Sequence, residues 1–185
     1  SEMTVFVDLD HAVKFTVLKI QNRSGRQRKL SVTGYVEWVL GEFRPKTQMH
    51  IVTTADGDTG TLFARNDYNT EFVNRVAFFD TDRMLESYTC DRKEFIGRNG
   101  SSRNPAAMNK VKLSGKSGPA LDPCAAIQIT VDLANEESHE IIFKLGAAKS
   151  HAAALHITEQ FKTHANVHQA LDKVQHFWQR TLGTI

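Results

Sequence analysis

The stretch richest in usable chemistry runs from Asp91 through Arg92, Lys93, Glu94, Phe95, Ile96, Gly97, Arg98, Asn99 and Gly100 to Ser101 and Ser102. Two guanidinium groups, Arg92 and Arg98, lie close to glycines that let the chain turn tightly. A guanidinium is a planar fork of donors suited to phosphate oxygens or to a cluster of sugar hydroxyls, and exposed backbone N–H groups beside glycine add to it. Arg92, Arg98, Asn99, Gly100 and Ser101 are therefore the candidate substrate-binding residues. The competing reading of the same residues is a surface loop whose charges are solvated.

Other constellations carry less. Gly115-Lys116-Ser117 resembles the end of a nucleotide-binding loop, but the first glycine of that motif would fall at Lys110, and Gly118-Pro119 stops the helix it requires. His164 and His168 have the spacing of a metal pair on one helix, with His151, His156 and His176 nearby. Asn166 reads as a helix start between them, and no cysteine or carboxylate completes a ligand set, so these histidines are expected on a solvated helix surface and no metal is expected. Asp56 and Asp58 are out of register for a calcium loop and read as a hairpin turn. Asp80, Asp82, Asp91 and Asp122 fall in no pattern that marks a general acid and base, and no Ser or Cys sits in a nucleophile elbow. No catalytic residue is assigned. Tyr35, Trp38 and Phe43 could offer an aromatic platform to a sugar ring, against the commoner reading of core packing.

The elements that must hold these residues are mostly strands. Met3, Val5, Val7 and Leu9 alternate with polar or mixed positions; Val13 to Ile20 follows; Leu30, Val32, Val36, Trp38 and Leu40 then share a face. These three runs, with the turn Asn22-Arg23-Ser24-Gly25, predict an antiparallel meander. Shorter strands are expected at Met49–Thr53, Gly60–Ala64 and Arg75–Phe79, and two clear ones at Ile127–Leu133 and Ile141–Leu145. Between Cys90 and Pro123 lies a long Gly-, Ser-, Asn- and Pro-rich segment, of a length that is usually functional or disordered. After Gly146 the pattern turns helical, with Ser150 capping one helix and Asn166 a second that carries Val167, Leu171, Val174, Trp178 and Leu182. No helix alternates with the strands, which favours a sandwich over a βαβ fold.

Composition narrows the class. The chain has 185 residues, 41% of them hydrophobic, enough for a buried core. With 23 basic and 21 acidic residues it lacks the excess of a nucleic-acid binder. Two cysteines, Cys90 and Cys124, read as reduced buried thiols rather than a disulfide framework. No apolar run is long enough to span a bilayer and Ser1-Glu2-Met3 is no signal peptide, so a cytoplasmic location is expected.

Several segments, taken in order, go further. Leu30-Ser31-Val32-Thr33-Gly34-Tyr35-Val36-Glu37-Trp38-Val39-Leu40-Gly41, Leu62-Phe63-Ala64-Arg65-Asn66-Asp67-Tyr68, the Asp91 to Ser101 stretch with Asn104-Pro105-Ala106-Ala107, Leu121-Asp122-Pro123-Cys124-Ala125-Ala126-Ile127-Gln128, and Trp178-Gln179-Arg180-Thr181-Leu182-Gly183 resemble the super-β-sandwich of glycoside hydrolase family ninety-four. The wording is nearer the cyclic β-1,2-glucan synthases than the cellobiose and chitobiose phosphorylases. The resemblance implies a mainly β fold, an antiparallel super-β-sandwich over 1–146 followed by two C-terminal linker helices over 147–185. The linker leads toward an (α/α)6 catalytic barrel. In that family phosphate attacks the anomeric carbon while an Asp on the barrel protonates the leaving oxygen, with inversion.

It follows that inorganic phosphate is a co-substrate of the parent and that no other cofactor is expected. The expected partners are the barrel and a β-glucan or oligosaccharide, with homodimerisation left open and no nucleic acid. The parent synthases are inner-membrane proteins. This chain departs from the family by stopping at Gly183-Thr184-Ile185, ahead of the barrel, and by a shorter front part of the sandwich. The expectation is a non-catalytic segment whose Arg92 to Ser101 loop borders the parent's active-site mouth. The alternative is an autonomous β-glucan-binding module using Tyr35, Tyr68 or the same loop.

Overall fold

A computed structural model describes residues 1–72 and 74–183; Thr184 and Ile185, the last residues of the expected helical segment, lie outside the described residues. Among the described residues, β1 (Glu2–Val7), β2 (Val13–Gln21), β4 (Ile51–Ala55), β5 (Leu62–Asn66), β6 (Val76–Thr81) and β9 (Ser138–Ala148) form a six-stranded antiparallel sheet. Its order is β1-β2-β9-β6-β5-β4. A smaller antiparallel sheet has the order β3-β8-β7, from β3 (Arg28–Glu37), β8 (Pro123–Leu133) and β7 (Ser87–Asp91).

The first three runs do not form the expected meander. β1 pairs with β2, but β2 takes β9 as its other neighbour and β3 lies in the smaller sheet beside β8. Asn22 causes the crossing. Its Nδ2 donates to the carbonyls of Arg26, Leu133 and Ala134 at 2.7, 3.0 and 3.0 Å, and its backbone exchanges bonds with Glu136 and Glu137. These bonds fix the chain to the β8–β9 hairpin, so it leaves one sheet there and enters the other.

The molecule is layered. Ile51, Leu62, Phe79, Ile127, Ile129, Ile141 and Phe143 fill the space between the sheets. The other face of the larger sheet, with Phe15, Val17, Phe63, Phe78 and Ile142, is covered by Ala154, Phe161, Val167 and Ala170 of the C-terminal helical segment. β9 is thus buried on both faces, which is why Ile141, Ile142 and Phe143 form an unbroken apolar run. The outer face of the smaller sheet carries a third cluster, of Ala126 and Tyr35 with Phe95, Ile96, Ala107 and Leu113 from the long segment. Two glycines set the layer spacing. A Cβ on Gly34 would lie 2.5 Å from Phe143 Cε1, and one on Gly146 would lie 2.4 Å from Phe78 Cζ.

Helix α3 (His151–Gln160) is capped as expected: the Ser150 side chain accepts the Ala153 N–H at 3.2 Å. Helix α4 (His164–Leu182) is capped by Thr163, not by Asn166. Asn166 sits in the first turn, gives its N–H to Thr163 Oγ1 at 3.3 Å and donates from Nδ2 to Gln160 O at 2.6 Å, tying the two helices together. A threonine one residue before the helix outcompetes an asparagine inside it, because only a residue in extended backbone can turn its side chain back onto the free N–H groups.

One charge pair is built into this frame. Lys144 Nζ lies 2.6 Å from Asp80 Oδ2, with side chains only 2% and 8% exposed. Thr61 Oγ1 donates to Asp80 at 3.2 Å and Lys144 donates to Thr158 O at 3.4 Å. Burial raises the Asp80 carboxyl above its ordinary range, and the Lys144 charge acts against that rise. Removing one partner strands the other in a medium that solvates charge poorly, at a cost of about 3–5 kcal/mol. Lys144→Met should lose stability of that order in urea unfolding, and Asp80→Leu in the same background should recover most of it. If Lys144→Met proves neutral, the pair does not govern this packing.

Candidate functional site

The long segment after β7 is ordered by its own polar side chains. Asp91 ends the strand and accepts the Lys93 N–H at 3.0 Å, starting helix α2 (Arg92–Phe95). Phe95 and Ile96 are buried, and Tyr35 stacks on Phe95 at 4.4 Å between ring centroids. Gly97, at φ 87°, then turns the chain outward. Residues 98–104 make a compact turn: Ser101 and Asn104 form an isolated antiparallel bridge, and Ala106 N–H donates to Ile96 O at 3.1 Å across its base. Gly100 is required here, since a Cβ would fall 1.8 Å from Ile96 O. After a 3-10 turn at Ala106–Asn109, the chain returns beside β7, with Gly115 N–H donating to Tyr88 O and Cys90 N–H to Lys116 O, both at 2.8 Å. Gly115-Lys116-Ser117 therefore lines a strand rather than opening a helix.

Glu94 is the inner brace of the segment. It accepts Thr89 Oγ1 at 2.7 Å and Ser114 N–H at 3.0 Å, bonds the Ser114 hydroxyl, and faces Lys110 Nζ at 3.4 Å. Burial opposes its ionisation, but the bonds from Ser114 and Thr89 outweigh it and hold the carboxyl below its ordinary range.

Arg92 and Arg98 are separated in role. Arg92 Nε lies 2.8 Å from Glu37 Oε1 and Nη1 lies 3.8 Å from Asp122 Oδ2. Arg44, in the short helix α1 (Arg44–Thr47), contacts the same two carboxylates, with Nη1 2.9 Å from Glu37 and Nη2 on Asp122. Tyr35 Oη donates to Glu37 at 2.7 Å. Arg92 is a clamp between α2 and the end of β3. Arg98, Asn99, Gly100 and Ser101 stand exposed on the turn, and Arg98 has no ion pair or side-chain hydrogen bond among the described residues. The turn thus presents two guanidinium groups, Arg98 and Arg103, with no ion pair or side-chain hydrogen bond among the described residues, beside an amide and a hydroxyl on a rigid base, a set able to grip hydroxyl or phosphate oxygens.

The other candidates fall elsewhere. Trp38 is 4% exposed and belongs to the core; Tyr35 is half-buried on Phe95; only Phe43 of that trio is open to solvent. Both thiols are free and buried, and burial pushes the Cys90 thiol up to about 11 and Cys124 in the same direction. His164 and His168 share one helix, contrary to the expected helix start between them, and carboxylates face them. His164 Nε2 lies 2.6 Å from Asp82 Oδ2 and Nδ1 lies 3.3 Å from Glu140 Oε1, while His168 Nε2 lies 2.7 Å from Glu140 Oε1. The missed partners come from β9 and the residue after β6, far away in sequence. Among the described residues no group of three or more such side chains is arranged to hold a metal ion, and no helix is long and apolar enough to cross a membrane.

Two stacked antiparallel sheets, with helices on one flank and a braced loop on the other, define a β-sandwich domain with an appended helical pair. The family model of the glycosyl hydrolase 94 supersandwich domain matches residues 1–164, and the chain belongs to that family. It is 32% identical over 173 residues to the cyclic beta-(1,2)-glucan synthase NdvB of Rhizobium meliloti, covering 93% of this chain and 6% of that protein. It is 28% identical to the cellobionic acid phosphorylase of Neurospora crassa and 26% to the N,N'-diacetylchitobiose phosphorylase of Vibrio furnissii, each over 82% of this chain and 20% of the relative. The chain therefore spans a fifth or less of the length of these relatives. A solved structure, a putative kojibiose phosphorylase from the human microbiome, shares the fold with a TM-score of 0.53 at 10% identity, over 96% of this chain and 21% of that one.

Glu37 makes the clamp sensitive to acid. Desolvation favours its neutral form, but hydrogen bonds from Arg92 and Tyr35 and the charges of Arg44 and Arg92 prevail, and its pKa falls below the ordinary 4.5. A depressed carboxylate stabilises the fold above its unfolded value and loses that contribution as pH falls through its folded value. In Glu37→Gln the decline of stability below about pH 5 should be shallower than in the wild type, measured by urea unfolding across pH. Identical acid limbs would remove Glu37 from this role.

Proposed function

We propose that this chain is the non-catalytic β-sandwich part of a larger carbohydrate-active enzyme of the cyclic β-1,2-glucan synthase or inverting β-glycoside phosphorylase kind. It supports a catalytic (α/α)6 barrel and brings the Arg98 turn to the mouth of the active site, where the glycan and inorganic phosphate meet. The observation that carries this reading is the turn itself. It is shaped by Gly97 and Gly100 and held by Glu94 and the Arg92 clamp, yet the side chains of Arg98, Asn99 and Ser101 make no ion pair or hydrogen bond among the described residues.

Two further features support an assembly role. Met3, Val5 and Val7 form an apolar row on the edge strand β1, 65%, 51% and 55% exposed. Phe177, Trp178 and Leu182 do the same at the far end of α4. Apolar rows of this kind mark surfaces that another body covers. The carboxylates named in the sequence also have structural duties: Asp80 pairs with Lys144, Asp82 with His164, Asp91 caps α2 and Asp122 meets Arg44. That supports placing the general acid in another part of the parent.

In the full-length parent, Arg98→Ala should lower kcat/KM on its glycan by about tenfold, the loss of one charge-assisted contact, with an unchanged melting temperature. The isolated chain should turn over neither β-glucan with phosphate nor the glycosyl phosphate in reverse. Full activity of Arg98→Ala, or turnover by the isolated chain, would overturn the proposal.

A further inference from the structure

The turn between β5 and β6 and the connection that follows β3 build a second surface. Tyr68 lies flat on His50, with ring centroids 4.3 Å apart and planes 8° apart, and yet is 76% exposed. One face of the phenol ring is thus held by the imidazole while the other is open to solvent. Four residues on, Phe72 is 51% exposed. A pocket of about 390 Å³ adjoins this turn, lined by Leu40, Asn66, Asn69, Phe72, Arg75 and Ala77 among others.

Residues 66–72 of this turn are preformed. Asn66 and Asn69 both donate from Nδ2 to the Leu40 carbonyl, at 2.9 and 3.4 Å. Asn66 Oδ1 accepts the Tyr68 N–H at 3.1 Å, and Asn69 Oδ1 accepts those of Glu71 and Phe72 at 2.9 and 3.4 Å. Leu40 is drawn into the left-handed region at φ 40°, a conformation costing a leucine about 1–2 kcal/mol. Each amide keeps one Nδ2 hydrogen beyond these bonds. Arg75 is exposed and has no ion pair or side-chain hydrogen bond among the described residues, so its five donors are available.

A clamped aromatic face, an apolar wall and a fan of unused donors match a ring that shows C–H groups on its faces and hydroxyls around its edge. A polyanion fits poorly, because Asp67 and Glu71 are exposed in the same turn. We propose that Tyr68, Phe72, Asn69 and Arg75 form a second saccharide-binding surface, specific for a neutral β-linked gluco-oligosaccharide and separate from the Arg98 turn. The class of sugar rests on the reading of the parent as a glycan-acting enzyme; the location rests on the residues just described.

The test is an NMR titration of the isotopically labelled chain with β-1,2-linked gluco-oligosaccharides, with cello-oligosaccharides and with inorganic phosphate. Saturable shifts are expected at Tyr68, Asn69, Phe72 and Arg75 with at least one saccharide series and none there with phosphate. Tyr68→Ala should weaken that binding about tenfold or more, Arg75→Ala severalfold, and Tyr68→Phe and Arg98→Ala little. Because Tyr68 and Arg75 are exposed, these variants should keep the wild-type melting temperature. Absence of saturable shifts at this turn with either series would overturn the proposal, as would binding that survives Tyr68→Ala. Binding lost in Arg98→Ala alone would overturn it too, while supporting the role of the Arg98 turn.

Discussion

Glu37 stands at the end of β3 between two guanidinium groups, and the shape of the candidate site depends on that arrangement. Arg92 and Arg44 approach its two oxygens at 2.8 and 2.9 Å, and both reach on to Asp122. Four charges from four separate stretches of chain are thereby joined: the end of β3, α1, α2 and the residue before β8. Each exposed pair alone would contribute little, about 0–1 kcal/mol. A network of this kind gains by sharing, since every charge has a partner whichever single contact loosens. Its value lies in position, because it anchors the start of the short helix α2 and through it the place where Gly97 sends the chain outward.

The layers explain why a small domain can carry such a long loop. The larger sheet is buried on both faces at its centre, by the smaller sheet on one side and by the helices on the other, while its edge strand β1 is largely exposed. The smaller sheet is buried on its inner face and gives its outer face to Phe95, Ile96, Ala107 and Leu113. The loop therefore has an apolar cluster of its own and does not rely on turn hydrogen bonds alone. The same layering puts the helical pair and the Arg98 turn on opposite flanks, so contacts made through α4 need not distort the turn.

Most of the frame was legible in the sequence, because alternation of apolar residues reports one buried face directly. That signal located β1, β2, β3, β8 and β9 to within a few residues and marked the change to helices after β9. It missed β7, whose Ser87-Tyr88-Thr89-Cys90-Asp91 has no apolar alternation; that strand is held by polar bonds such as Thr89 to Glu94 and Ser87 to Gln128. It also misjudged the partner of β3, since alternation says which face is buried but not which sheet receives it. The loop was visible through its glycines and arginines. Which arginine is free was not, because the answer depends on Glu37, Arg44 and Asp122, brought together only by the fold. The carboxylates facing His164 and His168 were hidden for the same reason.

The central claim is that the Arg98 turn is shaped by this domain itself. Backbone 15N relaxation on the isolated chain tests it directly. Order parameters at residues 98–104 should lie near those of the strands, at about 0.85, and should fall in Glu37→Gln. Values below about 0.6 in the wild-type chain would mean that the turn is disordered on its own and that this domain does not set its shape.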